Sequence, residues 1–160
     1  MGHLTGQIAN RLREKGQETL GFFAGLAAAQ WEAEVYTEGA RWTVHAVLCH
    51  FVSAERAVVG LVRDVLAGGE GTPEGFDIDA FNAAQVDQLS ARGPDELLDL
   101  FQQARREMVA RVAGMDDSDL EHVGRHPYFG VDKEERFLKL VYRHNMIHER
   151  DVRKALDAVQ

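Results

Sequence analysis

Two histidines, His144 and His148, stand four residues apart in the run from Phe137 to Leu156. Placed on a helix at about 100° per residue, Phe137, Leu140, Val141, Ile147, Val152, Ala155 and Val159 form one apolar stripe, and both histidines fall in its middle. Residues four apart on a helix are stacked about 6 Å along its axis, so both rings can reach one metal ion at about 2.0 to 2.1 Å. His50 sits the same way on an earlier stretch, flanked on its wheel by Ala46, Val47, Ala54, Ala57, Val58, Leu61 and Val65. Burying three imidazoles without partners costs several kcal/mol in desolvation. A shared divalent cation removes that cost, which makes His50, His144 and His148 the candidate ligands. Three protein ligands leave a position for water or substrate, the pattern of a catalytic ion.

Neighbouring residues narrow the chemistry. A zinc protease of the His-Glu type has a glutamate directly after the first histidine of its pair; here that position is Asn145. Carboxylate-bridged di-iron bundles need Glu-x-x-His repeats on two helices, and the sequence has none. Asp151, three residues past His148, lies on the ligand face, as either an acceptor for an imidazole N–H or a general base near bound water. A helix-end ion pair with Arg143, Arg150 or Lys154 is the plainer alternative. Glu55 is about 140° around the helix from His50, so it is expected in packing or at an interface, not on the ion. Cys49 is expected to be a small buried residue and not a nucleophile. His126-Pro127-Tyr128 could fold over the site opening, but an ordinary surface loop is the expectation. His45 and His122 fall on polar faces, and His3 is terminal.

The elements that must position these residues are helices. Apolar residues from Leu4 to about Ala29 recur at three and four, through Gly16, Gly21 and Gly25. Gln30 to Arg41 lacks periodicity and reads as a connection laying aromatics over the bundle end. A second helix, Thr43 to Ala67 with Thr43 near its cap, is apolar on two sides. It is therefore either central or packed on a second copy, which makes a homodimer through it an expectation. After the glycine-rich breaker 68–75, a short helix runs from Asp77 or Asp79 to about Ala91, and another from Asp95 to Gly114. Met115 to Asp132 reads as loop with one turn near 118–122, and no stretch alternates long enough to argue a strand. The fold expected is all-α, a four-helix up-down bundle with one extra short helix.

Composition sets the outer limits. The chain's 160 residues fit one domain, 1–160, and its 45% hydrophobic and 28% charged residues are ordinary for a folded globular protein. Its formal charge of -8 with scattered basic residues offers no phosphate-tracking surface, so nucleic acid is not expected as a partner. No apolar run reads as long enough to argue a bilayer span, the start does not read as a leader, and one cysteine fits a reducing compartment, so the cytoplasm is expected.

Together these residues carry a family resemblance. Trp31, the run Gly39-Ala40-Arg41-Trp42-Thr43-Val44-His45-Ala46-Val47-Leu48-Cys49-His50, Phe81-Asn82, and His144 to Asp151 occur in an order and at separations that cover nearly the whole chain. On them the sequence resembles the DinB-like superfamily, and within it the N-terminal domain of mycothiol-dependent maleylpyruvate isomerases. The resemblance implies a four-helix bundle holding a divalent metal, often zinc or nickel, through His50, His144 and His148. It also implies a low-molecular-weight thiol, such as mycothiol or bacillithiol, activated for S-transfer to a small-molecule electrophile. The isomerase branch tends to carry glutamate where this chain has His144, and that enzyme has a further C-terminal domain, so isomerase activity itself is not implied. Two other functions compete: a metal-dependent hydrolase using Asp151 or a loop group for the proton, and a non-catalytic metal or small-ligand binder acting in stress response.

Overall fold

In a computed structural model describing residues 2–159, the chain forms α1 (His3–Ala24), α2 (Val44–Leu66), α3 (Ile78–Leu89), α4 (Pro94–Ala113) and α5 (Glu134–Ala158). It also forms two hairpins, β1 (Glu34–Tyr36) with β2 (Trp42–Thr43), and β3 (Val123–His126) with β4 (Gly130–Lys133). The helices begin where capping chemistry allows. Thr43 accepts the Ala46 N–H at the start of α2, Asp77 accepts the Ala80 N–H at the start of α3, and Pro94 occupies the first turn of α4. The first helix stops at Ala24 instead of Ala29, because the chain turns off at Gly25. Residues Ala28–Glu32 form a separate 3₁₀ turn that stacks Trp31 on Phe23 at 5.7 Å.

The four long helices make the all-α bundle, and α3 is the extra short one packed on α2. Around the bundle the packing order is α1, α4, α2, α5, so α1 and α2 lie across one diagonal and α4 and α5 across the other. Each crossing is made the same way, by a 3₁₀ turn (Ala28–Glu32 or Asp117–Glu121) followed by a two-stranded hairpin that leads into the next helix. The halves even share a closing backbone bond: Val44 N–H to Ala33 C=O at 3.0 Å in one, Glu134 N–H to His122 C=O at 2.9 Å in the other. The strands escaped the sequence reading because two to four residues are too few to show a period of two.

Placed between α4, α5 and α3, helix α2 buries Leu48, Val52, Val59 and Val62 on one side and Val47, His50 and Val65 on the other, and leaves Ala57 exposed and Val58 and Leu61 half-buried. That placement accounts for most of the helix's apolarity without a second copy. By length and composition alone α2 could cross a bilayer, contrary to the run-length reading; burial inside the bundle accounts for its apolarity. The glycine-rich segment after it is not a mere breaker. Gly71, at φ +85°, pairs in parallel with Arg125, and a Cβ there would meet the Arg125 carbonyl oxygen at 2.7 Å. Thr72 N–H to Arg125 C=O and Arg125 N–H to Glu70 C=O, both 2.8 Å, lock β3 beside α2. His126 is thereby held over the bundle.

One consequence of the repeated half concerns Glu134. It takes the position that the buried Val44 takes in the first half, is 0% exposed, and neither carboxyl oxygen has a hydrogen-bond partner. Burial pushes this carboxyl from its ordinary 4.5 up to about 8. The folded state therefore keeps a proton that the unfolded chain releases, and this residue's contribution to stability falls as pH rises from about 4.5 to about 8. Glu134→Gln is expected to stabilise the protein by about 4 kcal/mol at pH 8, or roughly 10 °C in Tm, with the gain vanishing below pH 4.5. Thermal unfolding of both proteins across that range checks it. A gain that does not change with pH contradicts the assignment.

Candidate metal centre

His50 enters the bundle from the second turn of α2, while His144 and His148 come from consecutive turns of α5, which packs against it. The structure brings all three together. His144 Nε2 lies 2.9 Å from His50 Nε2 and 3.1 Å from His148 Nε2, and one ring nitrogen from each residue lies within 4.8 Å of the other two. Two nitrogens of a tetrahedral ion with bonds of 2.0 to 2.1 Å are about 3.4 Å apart, so the cluster is the size a divalent cation needs. Trp42 lies against the His50 ring at 4.9 Å between centroids, and Phe51 packs on both His144 and His148.

Electrostatics favour the neutral form that a ligand requires. Burial, aided by His144, lowers His50 to about 2; burial also lowers His148 to about 4 and His144 below its usual value. At neutral pH all three rings are therefore uncharged, the form that can give a lone pair to an ion.

Asp151 does face this site, but through an intermediary that sequence reasoning did not find. The Tyr36 hydroxyl lies 2.7 Å from His148 Nδ1 and donates to Asp151 Oδ2 at 2.8 Å. Since the one hydroxyl proton goes to the carboxylate, Tyr36 accepts from His148 Nδ1–H, and this tautomer leaves Nε2 free for an ion. The Tyr36 bond holds the Asp151 carboxyl below its ordinary range, while burial, then Asp151, pushes the Tyr36 hydroxyl well above its own. Tyr36→Phe removes the acceptor that fixes His148 and is expected to weaken divalent-ion affinity by about 10- to 100-fold without unfolding the protein. Competition titration against a chromogenic chelator reads the change. Unaltered affinity means the relay does not orient the ring.

Beside the imidazoles opens a cleft of about 570 Å³, open solvent at its mouth included, between α2, α3 and α5 and the segment His126 to Tyr128. His126 is not in a surface loop. It is buried between Phe129 and Phe137, with ring centroids 4.9 and 5.0 Å away, and its Nδ1 accepts the Tyr128 N–H at 3.0 Å. The His-Pro-Tyr segment thus walls the cleft, in place of the surface loop expected from sequence. Glu55 also reaches the cleft, 2% exposed, where Arg105 of α4 grips it with two bonds of 2.8 and 2.5 Å. The pair is internal, not an interface contact. Cys49 is buried, and burial pushes its thiol up to about 11, which disfavours the thiolate at neutral pH. His45 and His122 lie outside the cluster; His45 donates to the Arg92 carbonyl. Ile147 and Val159, expected on the core stripe, are 50% and 71% exposed.

A four-helix bundle whose second and last long helices converge three histidines beside an open cleft defines a DinB-like protein. Residues 12–153 match the family described as the mycothiol maleylpyruvate isomerase N-terminal domain, and the chain belongs to that family. Among solved structures, the mycothiol-dependent maleylpyruvate isomerase is similar with a TM-score of 0.76 at 16% identity, over 92% of this chain and 60% of that one. The chain therefore spans about 60% of the isomerase's length. YfiT from Bacillus subtilis, described as a probable metal-dependent hydrolase with an unusual four-helix bundle topology, is similar with a TM-score of 0.73 at 17% identity, over 97% of this chain and 85% of that one. The sibling lethal factor precursor DfsB gives 0.76 at 16% identity, over 98% of this chain and 96% of that one. No curated protein sequence matches.

Proposed function

We propose that the protein is a divalent-metal-dependent enzyme in which His50, His144 and His148 hold the ion and a low-molecular-weight thiol is transferred to a small electrophile. The observation that carries this is the convergence of three neutral imidazoles at the edge of an open cleft. A bound zinc or nickel ion would supply the positive charge that favours thiolate over thiol at neutral pH. The chain's own residues do the rest. Trp42 and Phe51 fix the imidazoles by packing, and Tyr36 with Asp151 fixes the His148 tautomer. The apolar walls of the cleft shield a bound electrophile from water on the sides they cover. In the transfer the thiol loses its proton to solvent, the new S–C bond forms, and the electrophile's displaced electron pair leaves with a halide or takes up a proton. Mycothiol enters this reading through the family, and bacillithiol is the alternative thiol.

Asp151 serves here through Tyr36 and not on the substrate. That bears on the hydrolase alternative, which needs a free base near the ion. Glu55, the acid lining the cleft, is committed to Arg105, which favours thiol transfer over hydrolysis. The test is a panel of thiols with 1-chloro-2,4-dinitrobenzene, using metal-loaded and chelated protein. Metal-dependent conjugation with at least one thiol is expected. Absence of it with every thiol removes the reading, and ester turnover without thiol replaces it with hydrolysis.

A further inference from the structure

The walls of the cleft are apolar side chains, Val58, Ile78, Phe81, Phe137 and Leu140 among them, and none of the described residues lining it is a lysine or arginine. An adjoining groove shares Val58, Ile78, Phe81 and His126 with it, likewise lacks lysine and arginine, and ends on Asp64. An anionic group entering there leaves water with no protein cation to receive it, at a cost of several kcal/mol. The polar groups present are of another kind. Asn145 lines the cleft at 3% exposure, and its Nδ2 is buried without a hydrogen-bond partner. His126 accepts the Tyr128 N–H at Nδ1, so its proton is on Nε2. Unpartnered N–H groups therefore lie within the apolar wall of the cleft.

We propose that the cleft takes an uncharged, mainly apolar molecule, aromatic or cyclic in size, with one carbonyl-type acceptor that Asn145 Nδ2 binds, and that its walls reject a carboxylate that no ion holds. A lone donor buried without a partner costs about 1 to 3 kcal/mol, which an acceptor on the bound molecule recovers. This rests on the thiol-transfer reading only in taking the cleft as the electrophile's site. Binding, and not turnover, tests it.

Acetophenone and benzoate match in size and differ in charge. Each is titrated into chelated protein, where no ion can hold the carboxylate, and again into metal-loaded protein, with ¹H–¹⁵N spectra following the Asn145 side-chain amide. Acetophenone is expected to bind at least tenfold more tightly than benzoate in the chelated protein and to shift that amide. Asn145→Leu is expected to weaken acetophenone about tenfold and leave toluene, which has no acceptor, unchanged; a purely structural role for Asn145 weakens both. Ala57→Arg, at an exposed position on the rim, is expected to move the preference at least tenfold toward benzoate. Equal or tighter benzoate binding to chelated protein overturns the inference, as does the absence of saturable acetophenone binding. Ketone binding without thiol conjugation removes only the transferase reading. Conjugation that prefers carboxylated electrophiles removes only this one.

Discussion

His144→Ala is expected to reduce the affinity for a divalent ion by about 10³-fold. His144 is the middle ligand, with Nε2 within 3.1 Å of the Nε2 atoms of both His50 and His148, so its removal takes away the donor that both others adjoin. Structural zinc sites with four ligands bind with about 10 to 16 kcal/mol, and about 4 kcal/mol per ligand corresponds to that fold-change. The double variant His50→Ala with His144→Ala leaves one imidazole and is expected to retain less than about a tenth of an ion per chain, against roughly one for the parent. Elemental analysis of both proteins, purified without added metal, reads this directly. Equal metal content places any ion elsewhere in the molecule.

Arg105→Ala is expected to destabilise the fold by about 3 to 5 kcal/mol, because it leaves the Glu55 carboxylate buried without a counter-charge. The guanidinium is 4% exposed and Glu55 2%; besides its two bonds to Glu55, Arg105 donates through Nη1 to the Leu12 carbonyl at 2.8 Å. Three helices, α1, α2 and α4, meet at that one side chain. Its stem crosses α1 at Gly16, where a Cβ would lie 2.8 Å from Arg105 Cγ, which is why a residue of poor helix propensity is tolerated there. For a chain of this length the loss corresponds to roughly 10 °C in Tm. Replacing both partners, Glu55→Leu with Arg105→Met, is expected to recover most of it, since the penalty lies in the orphaned charge more than in the lost pair. Denaturant unfolding of the single and double variants separates the two contributions. If Arg105→Ala costs under about 1 kcal/mol, the pair behaves as a surface one.

Most of the candidate site could be read from the chain because its ligands sit on long helices, where a period of 3.6 makes a face visible. His50, His144 and His148 stood at the centres of apolar stripes, and α2 and α5 do converge there. The same arithmetic overreached at Ile147 and Val159, which fall where the stripe meets solvent at its edge and at the helix end. Tyr36 could not be found that way. It lies in a three-residue strand with an irregular register, 112 residues from the histidine it orients, and no local pattern links the two. His126 looked like loop chemistry because its burial depends on the Gly71 to Arg125 pairing, a contact across more than fifty residues that needs a positive φ. Glu134 is the opposite case. Its acid side chain marks a solvated first turn by sequence, yet the repeated hairpin crossing sets it where Val44 is set in the other half.

The most direct measurement is anomalous diffraction from a crystal of the metal-loaded protein at the absorption edge of the ion it carries. One peak is expected among His50, His144 and His148, about 2.0 to 2.1 Å from the Nε2 atom of each, with a coordination position facing the cleft. A peak held by other residues, or no peak in protein shown by its elemental content to be loaded, contradicts the account.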